Sequence, residues 1–302
     1  MDKPLASFFL LAYALGWLPI LLLSGIANAA GIESWLVLSS MAETWSWAGV
    51  DPGVPRGLVY FITRVQDFAF SISGVIIVAW LYGRAELREL FARLFQFGMG
   101  LSAWRVWLIA GLPFVFYFAA TIMAGAVGSF SISSTKIVPL LFSLETGLLV
   151  TFFLRGPMGE ELGLRGFALV RLQKRMTAVR ASAAIGLLWS LWHLPVLLDR
   201  DVLSLVAFLL LAFGLSFVFT WLFNSSAGSL LPVLLFHTLQ NNEETFEILF
   251  PLLVGTDYEL ISLACLLTLC MVAFLRLRHI DRSDGKLTTQ PKKSSYSNSM
   301  GK

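Results

Sequence analysis

Three short clusters of polar residues interrupt long apolar stretches of this 302-residue sequence. They are residues 160–165 (Glu-Glu-Leu-Gly-Leu-Arg), 189–195 (Trp-Ser-Leu-Trp-His-Leu-Pro) and 237–241 (His-Thr-Leu-Gln-Asn). An ionisable group inside a membrane helix costs about 2.5–3.5 kcal/mol and marks a functional candidate. Carboxylates and imidazoles move protons, and amides stabilise oxyanions. The clusters therefore predict acid–base chemistry within an apolar protein.

The spacing inside the first cluster separates two roles. Glu161 and Arg165 are four residues apart, which suits an ion pair on one helix face. Glu160 is turned about 100° away around the helix. We therefore expect Glu160 to be the carboxylate that is left to act as a general base.

The other two clusters have similar helical spacings. His237 and Asn241 are four residues apart and are expected to offer two hydrogen-bond donors to one oxygen. Trp189 lies one turn before His193 and could line the site or hold the imidazole in place. Pro195 should disturb the helix just past His193 and free backbone groups there.

Each cluster taken alone also has an ordinary structural explanation. Glutamates and an arginine at a helix end can be a solvated flank, and an intramembrane histidine often serves packing. A His-x-x-x-Asn pair can simply join helices through bonds worth about 0.6–2 kcal/mol. Arg64 and Asp67, three apart in another apolar run, are expected only to pair with each other. The combination of acid, imidazole and amide in three separate segments favours function.

The composition identifies the kind of elements that carry these clusters. Hydrophobic residues make up 57% of the chain and charged residues 14%, against roughly 25% charged in ordinary soluble domains. Soluble, disordered, collagen-like and disulfide-scaffold classes are therefore excluded. Because no alternating pattern favours a barrel, the sequence predicts an all-α protein that crosses the membrane several times.

Eight apolar runs approach the roughly 20 residues that a membrane helix needs. They are residues 5–26, 58–82, 106–127, 137–154, 181–198, 202–223, 230–249 and 260–275. An amphipathic pattern at 83–104 suits a helix on the membrane surface. We expect one membrane domain over residues 1–280, with the polar clusters in a core at about 140–250, and a disordered cytoplasmic tail at 281–302.

The basic residues set the predicted orientation. With the N-terminus inside, the inner segments hold 18 of the 22 Lys and Arg residues, as the positive-inside rule requires. Both termini are then cytoplasmic. In this arrangement Glu160 falls near the inner surface, whereas His193 and His237 lie deeper. Either the fourth span sits deeper, or Gly156-Pro157 breaks it and a second helix dips back.

The ordered motifs Glu-Glu-x-x-x-Arg, aromatic-x-x-x-His and His-x-x-x-Asn resemble the CPBP family, which contains type II CAAX prenyl proteases and bacteriocin-processing relatives. The resemblance covers roughly residues 140–250. Trp189 stands where members of the family usually carry Phe, so an aromatic ring is retained.

The resemblance implies an intramembrane endopeptidase with assigned residues. Glu160 and His193 would activate a water for attack on the peptide carbonyl, and His237 with Asn241 would stabilise the oxyanion. Three residues would support the site: Glu161, Arg165 and Trp189.

The same residues allow a mechanism with zinc and a mechanism without a cofactor. Glu160, His193 and His237 could hold zinc with one coordination position open. The sequence has no His-Glu-x-x-His helix, and asparagine is an unusual zinc ligand. We therefore favour chemistry without a cofactor and keep zinc as the alternative.

We expect an enzyme that cuts membrane-associated peptides or lipid-anchored tails in a prokaryotic plasma membrane. The expected partners are membrane lipid and a peptide or lipidated protein, with no nucleic acid. One alternative is a non-enzymatic membrane immunity or scaffold protein that binds a peptide or membrane partner. Another is a transporter, but no duplicated halves are visible in the sequence.

Overall fold

A computed structural model of the protein describes residues 3–43, 51–97, 103–115, 147–197, 201–242 and 256–289. Its named elements are α1 (Lys3–Ala29), α2 (Trp35–Glu43), α3 (Arg56–Asp67), α4 (Ala69–Leu81), α5 (Gly83–Ala92), α6 (Ala103–Ala110), α7 (Gly156–Glu161), a π-helix (Leu162–Leu169), α8 (Val170–Gln173), α9 (Ala178–Trp192), α10 (Leu194–Leu197), α11 (Val202–Ser225), α12 (Leu231–Gln240) and α13 (Thr256–Thr289). These residues contain no strand, so the prediction of an all-α protein is confirmed for them.

Three helices among the described residues are long and apolar enough to cross a membrane. They are α1, α11 and the segment Leu263–Arg282 within α13, and the bent pair α3–α4 makes a fourth if it counts as one span. The eight predicted spans and the cytoplasmic termini stay predictions. Parts of the predicted spans at 106–127, 137–154 and 230–249 lie outside the described residues.

The second predicted span is not one straight helix. Residues 58–82 form α3 and α4, which meet at Phe68 with a bend of 68°. The two halves differ in composition, because α3 carries Thr63, Arg64, Gln66 and Asp67 whereas α4 is almost wholly apolar. The bend lets the polar half face a cavity while the apolar half packs in the core.

The fifth predicted span is also interrupted. The described part of this span, residues 181–197, lies in α9 and the single turn α10, with His193 between them. Pro195 has no N–H to continue the helical pattern. The predicted disturbance beside His193 is therefore confirmed.

The last helix corrects part of the predicted tail. Helix α13 runs to Thr289, so residues 281–289 are helical rather than disordered. A tertiary contact accounts for its extension past residue 280, because the Asp281 carboxylate accepts the backbone N–H groups of Ala178 and Val179, each at 3.0 Å. Residues 290–302 lie outside the described part.

Two buried clusters hold the helices together. The larger one joins α1, α4, the π-helix, α9, α11 and α13, and includes the ring contact between Phe8 and Phe167 at 5.0 Å. The smaller one joins α1, α2 and α3 through Leu23, Leu38 and Val59. The predicted surface segment begins with the amphipathic helix α5, whose Leu90 is buried. Helix α2 was not predicted, and it forms part of a cavity wall.

Candidate active site

The segment that carries Glu160 starts at a break in the chain. Residues 147–154 are helical, Arg155 is extended (φ −126°, ψ −164°), and α7 begins at Gly156 with Pro157 in its first turn. Proline is favoured there because the first turn has no N–H to lose. The predicted break at Gly156-Pro157 is therefore found, whereas the depth of Glu160 in the membrane stays a prediction.

Two glycines bring α7 and the π-helix against the α3–α4 bend. A Cβ atom on Gly159 would lie 2.2 Å from the Asp67 carbonyl oxygen, and one on Gly163 would lie 2.1 Å from that of Phe70. The Ser71 hydroxyl adds a bond to the Met158 carbonyl at 2.8 Å. Only residues without a side chain permit this approach, which fixes the neighbouring glutamates relative to the polar face of α3.

Glu160 is 5% exposed and held by one indole. Trp189 Nε1 donates to Glu160 Oε2 at 2.5 Å. The other oxygen, Oε1, lies 2.8 Å from the position that a Cβ on Gly156 would take, and Asn241 Nδ2 lies 3.5 Å from the same position. Glycine at 156 therefore leaves room for this carboxylate beside the Asn241 amide.

Glu161 lies in a different environment from its neighbour. It is fully buried, and its Oε1 accepts from Arg165 Nη1 at 3.0 Å and contacts His237 Nδ1 at 2.9 Å. The predicted ion pair between Glu161 and Arg165 is confirmed. Because the same oxygen also binds His237, the pair joins α7 and the π-helix to α12.

Arg165 is fully buried and its guanidinium is enclosed by aromatic rings. Its Cζ atom lies 5.0 Å from the Trp189 ring centroid and 4.7 Å from that of Phe219. Arg165 Nη2 also donates to Ser216 Oγ at 3.3 Å. A buried charge is tolerated only when it is paired and hydrogen-bonded, so this cation and Glu161 depend on each other.

His193 is half-buried just after α9 ends. Its Nδ1 lies 2.8 Å from the carbonyl oxygen of Trp189. A carbonyl oxygen only accepts, so Nδ1 carries the proton and Nε2 of a neutral ring holds a lone pair. Trp189 thus fixes the imidazole through its carbonyl and the Glu160 carboxylate through its indole.

A cavity of about 640 Å³ collects part of the predicted site. Glu160, His193 and Asn241 line it, and we call these three residues the cavity layer. Glu161, Arg165 and His237 are not among its lining residues and meet at the Glu161 carboxylate, and we call these three the buried layer. Of the predicted pair, Asn241 therefore lines the cavity, whereas His237 is not among its lining residues.

A second group of cavity-lining residues was missed from the sequence. It consists of polar residues of α3 and residues of α2, including Thr63, Arg64, Gln66, Asp67, Trp35 and Ser39. The expected pair between Arg64 and Asp67 is confirmed at 3.1 Å. Four polar residues within five positions of an apolar run were the available signal. Their spacing indicated a pair, but it did not reveal which other helix they faced.

The donor set does not match the zinc ligands expected from the sequence. Among the described residues, Glu160, Glu161 and His237 offer ligand atoms within 4.8 Å of one another, whereas His193 is not in this group. Glu161 already binds the Arg165 guanidinium. The Arg165 guanidinium is a permanent cation 3.0 Å from Glu161 Oε1. Its charge repels a metal ion, so binding of zinc at the same carboxylate is disfavoured. These residues are therefore a poor fit for zinc.

The described residues define a helical membrane protein with an acid–imidazole–amide site. Residues 142–242 match the family model for type II CAAX prenyl endopeptidases, Rce1-like. A CAAX prenyl protease 2 from Methanococcus maripaludis is 33% identical over 132 residues, which cover 40% of this chain and 45% of the relative. The match thus spans less than half the length of that relative.

The family match coincides with the segment that carries all three motifs. The resemblance to the CPBP proteases is therefore confirmed over residues 142–242, which are similar to that family. Both comparisons support the prediction of a hydrolase that acts on peptide bonds.

Proposed function

We propose that the chain is an intramembrane endopeptidase that hydrolyses peptide bonds of membrane-associated or lipid-anchored substrates. The observation that carries the proposal is the cavity layer, in which a carboxylate, an imidazole and an amide line one cavity. Glu160 and His193 are both held by Trp189. Preorganised groups of this kind are what hydrolysis of an amide requires.

Glu160 and His193 activate the water in this proposal. Trp189 occupies Oε2 of Glu160, so Oε1 is the oxygen that accepts a proton from the water. His193 accepts a hydrogen bond from the same water at Nε2 and orients it. The hydroxide attacks the carbonyl carbon, and the proton on Glu160 then moves to the leaving nitrogen as the C–N bond breaks.

Asn241 stabilises the oxyanion of the tetrahedral intermediate, and His237 supports it from the buried layer. The Asn241 amide on the cavity wall donates directly. His237 Nδ1 faces the Glu161 carboxylate, which accepts a hydrogen bond from it. With the Nδ1 proton directed at Glu161, Nε2 of a neutral ring holds only a lone pair, so His237 supports Asn241 through α12 rather than donating to the oxyanion.

Three further residues support these groups without touching substrate. Glu161 and Arg165 hold His237 through one carboxylate, and Trp189 holds both Glu160 and His193. We propose that the reaction needs no metal, because the buried guanidinium beside Glu161 disfavours a divalent cation there.

The substrate class follows from the relative and from the surroundings of the site. The archaeal relative is named a CAAX prenyl protease, which acts on prenylated proteins by that name. We propose a peptide or lipidated protein as substrate, membrane lipid as the surrounding partner, no nucleic acid, and a prokaryotic plasma membrane as the location. The polar wall of α3 would contact the peptide.

The test is cleavage of a panel of lipidated and unlipidated membrane peptides by the purified full chain in detergent. Wild type is compared with Glu160→Gln, each with and without a strong zinc chelator. We expect cleavage by wild type that survives chelation and is lost in the variant. Chelator-sensitive cleavage would instead establish a metal enzyme.

Other outcomes separate the remaining explanations. Equal activity of wild type and Glu160→Gln would refute the proposed base. If wild type cleaves no member of the panel but binds one with the same affinity as Glu160→Gln, the result would favour the immunity or scaffold alternative.

A further inference from the structure

Helix α9 loses its regular backbone bonding just where it presents His193. The His193 N–H bonds to the Ser190 carbonyl at 3.1 Å, three residues back, and the Val196 N–H bonds to the His193 carbonyl at 3.1 Å. A regular helix would use the carbonyls of Trp189 and Trp192 for these two donors. Both carbonyls are therefore available to side chains.

The two released carbonyls receive bonds from different sources. The Nδ1–H group of His193 donates to the Trp189 carbonyl oxygen at 2.8 Å. Trp17 Nε1, on the first helix of the chain, donates to the Trp192 carbonyl at 3.0 Å. Buried carbonyls are costly to leave unpaired, so Trp17 stabilises this end of α9 in its interrupted form.

The same face of α1 makes two further contacts with α9. The Tyr13 hydroxyl donates to the Leu188 carbonyl at 2.6 Å, one turn before the break. A Cβ on Gly16 would lie 2.3 Å from Trp192 Nε1, so the indole of Trp192 rests directly on the α1 backbone. Tyr13, Gly16 and Trp17 follow the i, i+3, i+4 spacing of one helix face.

Trp192 lies between α1 and the His193 imidazole and contacts both. Its ring centroid lies 5.1 Å from that of His193 at an interplanar angle of 89°, and both side chains line the cavity. A shift of α1 would therefore displace the carbonyl and the ring that surround His193 on this side.

We infer that the Tyr13–Gly16–Trp17 face of α1 positions His193 for catalysis. Tyr13 and Trp17 are positioning residues, since they act through the backbone of α9 and make no contact with the cavity. The inference deepens the proposed function and rests on it for the role of His193. It assigns a role in the site to a helix outside the segment that matches the family.

The first test measures cleavage by Trp17→Phe and Tyr13→Phe in the full chain. Tyr13→Phe keeps the ring and removes only the donor, whereas Trp17→Phe keeps an aromatic ring and removes the donor together with part of the indole. Small misplacements of catalytic groups cost much in rate, so we expect Trp17→Phe to lower kcat by roughly tenfold with KM nearly unchanged, and Tyr13→Phe to have a smaller effect in the same direction. Trp80→Phe, at a Trp that is 79% exposed, is the matched control and should behave as wild type.

The second test is independent of activity. Nuclear magnetic resonance of ¹⁵N-histidine protein in micelles reports which ring nitrogen of each histidine is protonated, and a His193→Gln sample assigns the signals. We expect one Nδ1–H form for His193 in wild type and Trp80→Phe, and mixed or broadened signals in Trp17→Phe. If Trp17→Phe does not insert into micelles, the same signals are measured in Tyr13→Phe.

Unchanged kcat and unchanged His193 signals in both α1 variants would overturn the inference. A lower kcat with an equal loss of unfolding temperature and unaltered His193 signals would also overturn it, because the effect would then be general instability. If wild type cleaves nothing, the proposed function fails, while the ring signals still decide whether α1 holds the imidazole.

Discussion

Glu160 and Glu161 are adjacent in sequence, yet they belong to two regions with opposite properties. In the cavity layer, Glu160 has one oxygen bound to an indole and lines an open space. In the buried layer, one oxygen of Glu161 binds both Arg165 and His237, and both partners are almost inaccessible. One region is arranged to meet a substrate, and the other is arranged to hold helices together around a buried charge.

Two residues of the same type in one motif therefore have different roles. A rotation of about 100° per residue on a helix separates the two carboxylates. The environment then decides the role, because a carboxylate paired with a buried guanidinium is committed to that pair. Mutations in the cavity layer should therefore change turnover, and mutations in the buried layer should change stability first.

The largest effect is expected from breaking the buried layer at its cation. Arg165→Met leaves the Glu161 charge buried without its cation, so we expect the free energy of unfolding to fall by about 3–5 kcal/mol. Chemical denaturation in mild detergent measures this. The double variant with Glu161→Gln removes both charges and should be less destabilised than the two single losses added together. Full additivity would show that the two side chains do not interact.

In the cavity layer, Asn241→Ala should lower kcat by roughly 10²–10³-fold, as for loss of one oxyanion donor. Its unfolding midpoint should stay close to that of wild type, because Asn241 is exposed. Asn242→Ala is the matched control. Asn242 is buried and donates to the Thr238 carbonyl at 2.7 Å, so this variant should lose stability more than turnover. The reverse pattern would contradict the assignment of Asn241 to the cavity layer.

Gly156→Ala should displace the Glu160 carboxylate without touching the buried layer. The added Cβ would lie 2.8 Å from Glu160 Oε1, and a carboxylate at the end of a side chain can shift with little cost in stability. We expect kcat to fall by roughly tenfold or more while the protein stays folded. Gly25→Ala in α1, where a Cβ meets nothing within 4 Å, should leave both quantities unchanged. Wild-type turnover in Gly156→Ala would show that the position of Oε1 does not matter.

The smallest effect is expected outside both layers, at the far end of α9. Asp281→Ala removes the carboxylate that accepts the backbone N–H groups of Ala178 and Val179. Losing a helix cap of this kind should cost about 1 kcal/mol of stability. Cleavage measured well below the unfolding temperature should be unchanged. A large loss of kcat without a loss of stability would tie α13 to the chemistry.

The sequence predicted the parts of this site that depend on local spacing. The pair of Glu161 with Arg165, the pair of Arg64 with Asp67, and the disturbance before Pro195 all follow from helix geometry, and the structure confirms them. Long apolar helices such as α1 and α11 were equally accessible, since hydropathy alone indicates them.

The parts that depend on distant contacts could not be predicted. Spacing paired His237 with Asn241, but it did not reveal that His237 Nδ1 lies 2.9 Å from Glu161 Oε1. Periodicity likewise does not indicate that α3 bends by 68° or that α1 bonds to the carbonyls of α9. The helical segment 281–289 looked disordered because its composition is polar, and the Asp281 contact with α9 is visible only in three dimensions.

The most direct test of the account compares Glu160→Gln and Glu161→Gln side by side in one detergent. For each variant, the cleavage rate and the free energy of unfolding are measured on the same preparation. We predict that Glu160→Gln unfolds like wild type and loses at least roughly 10²-fold in turnover. Glu161→Gln should lose about 3–5 kcal/mol of stability, because Arg165 is left buried and unpaired. A stable, inactive Glu161→Gln beside an active Glu160→Gln would contradict the account.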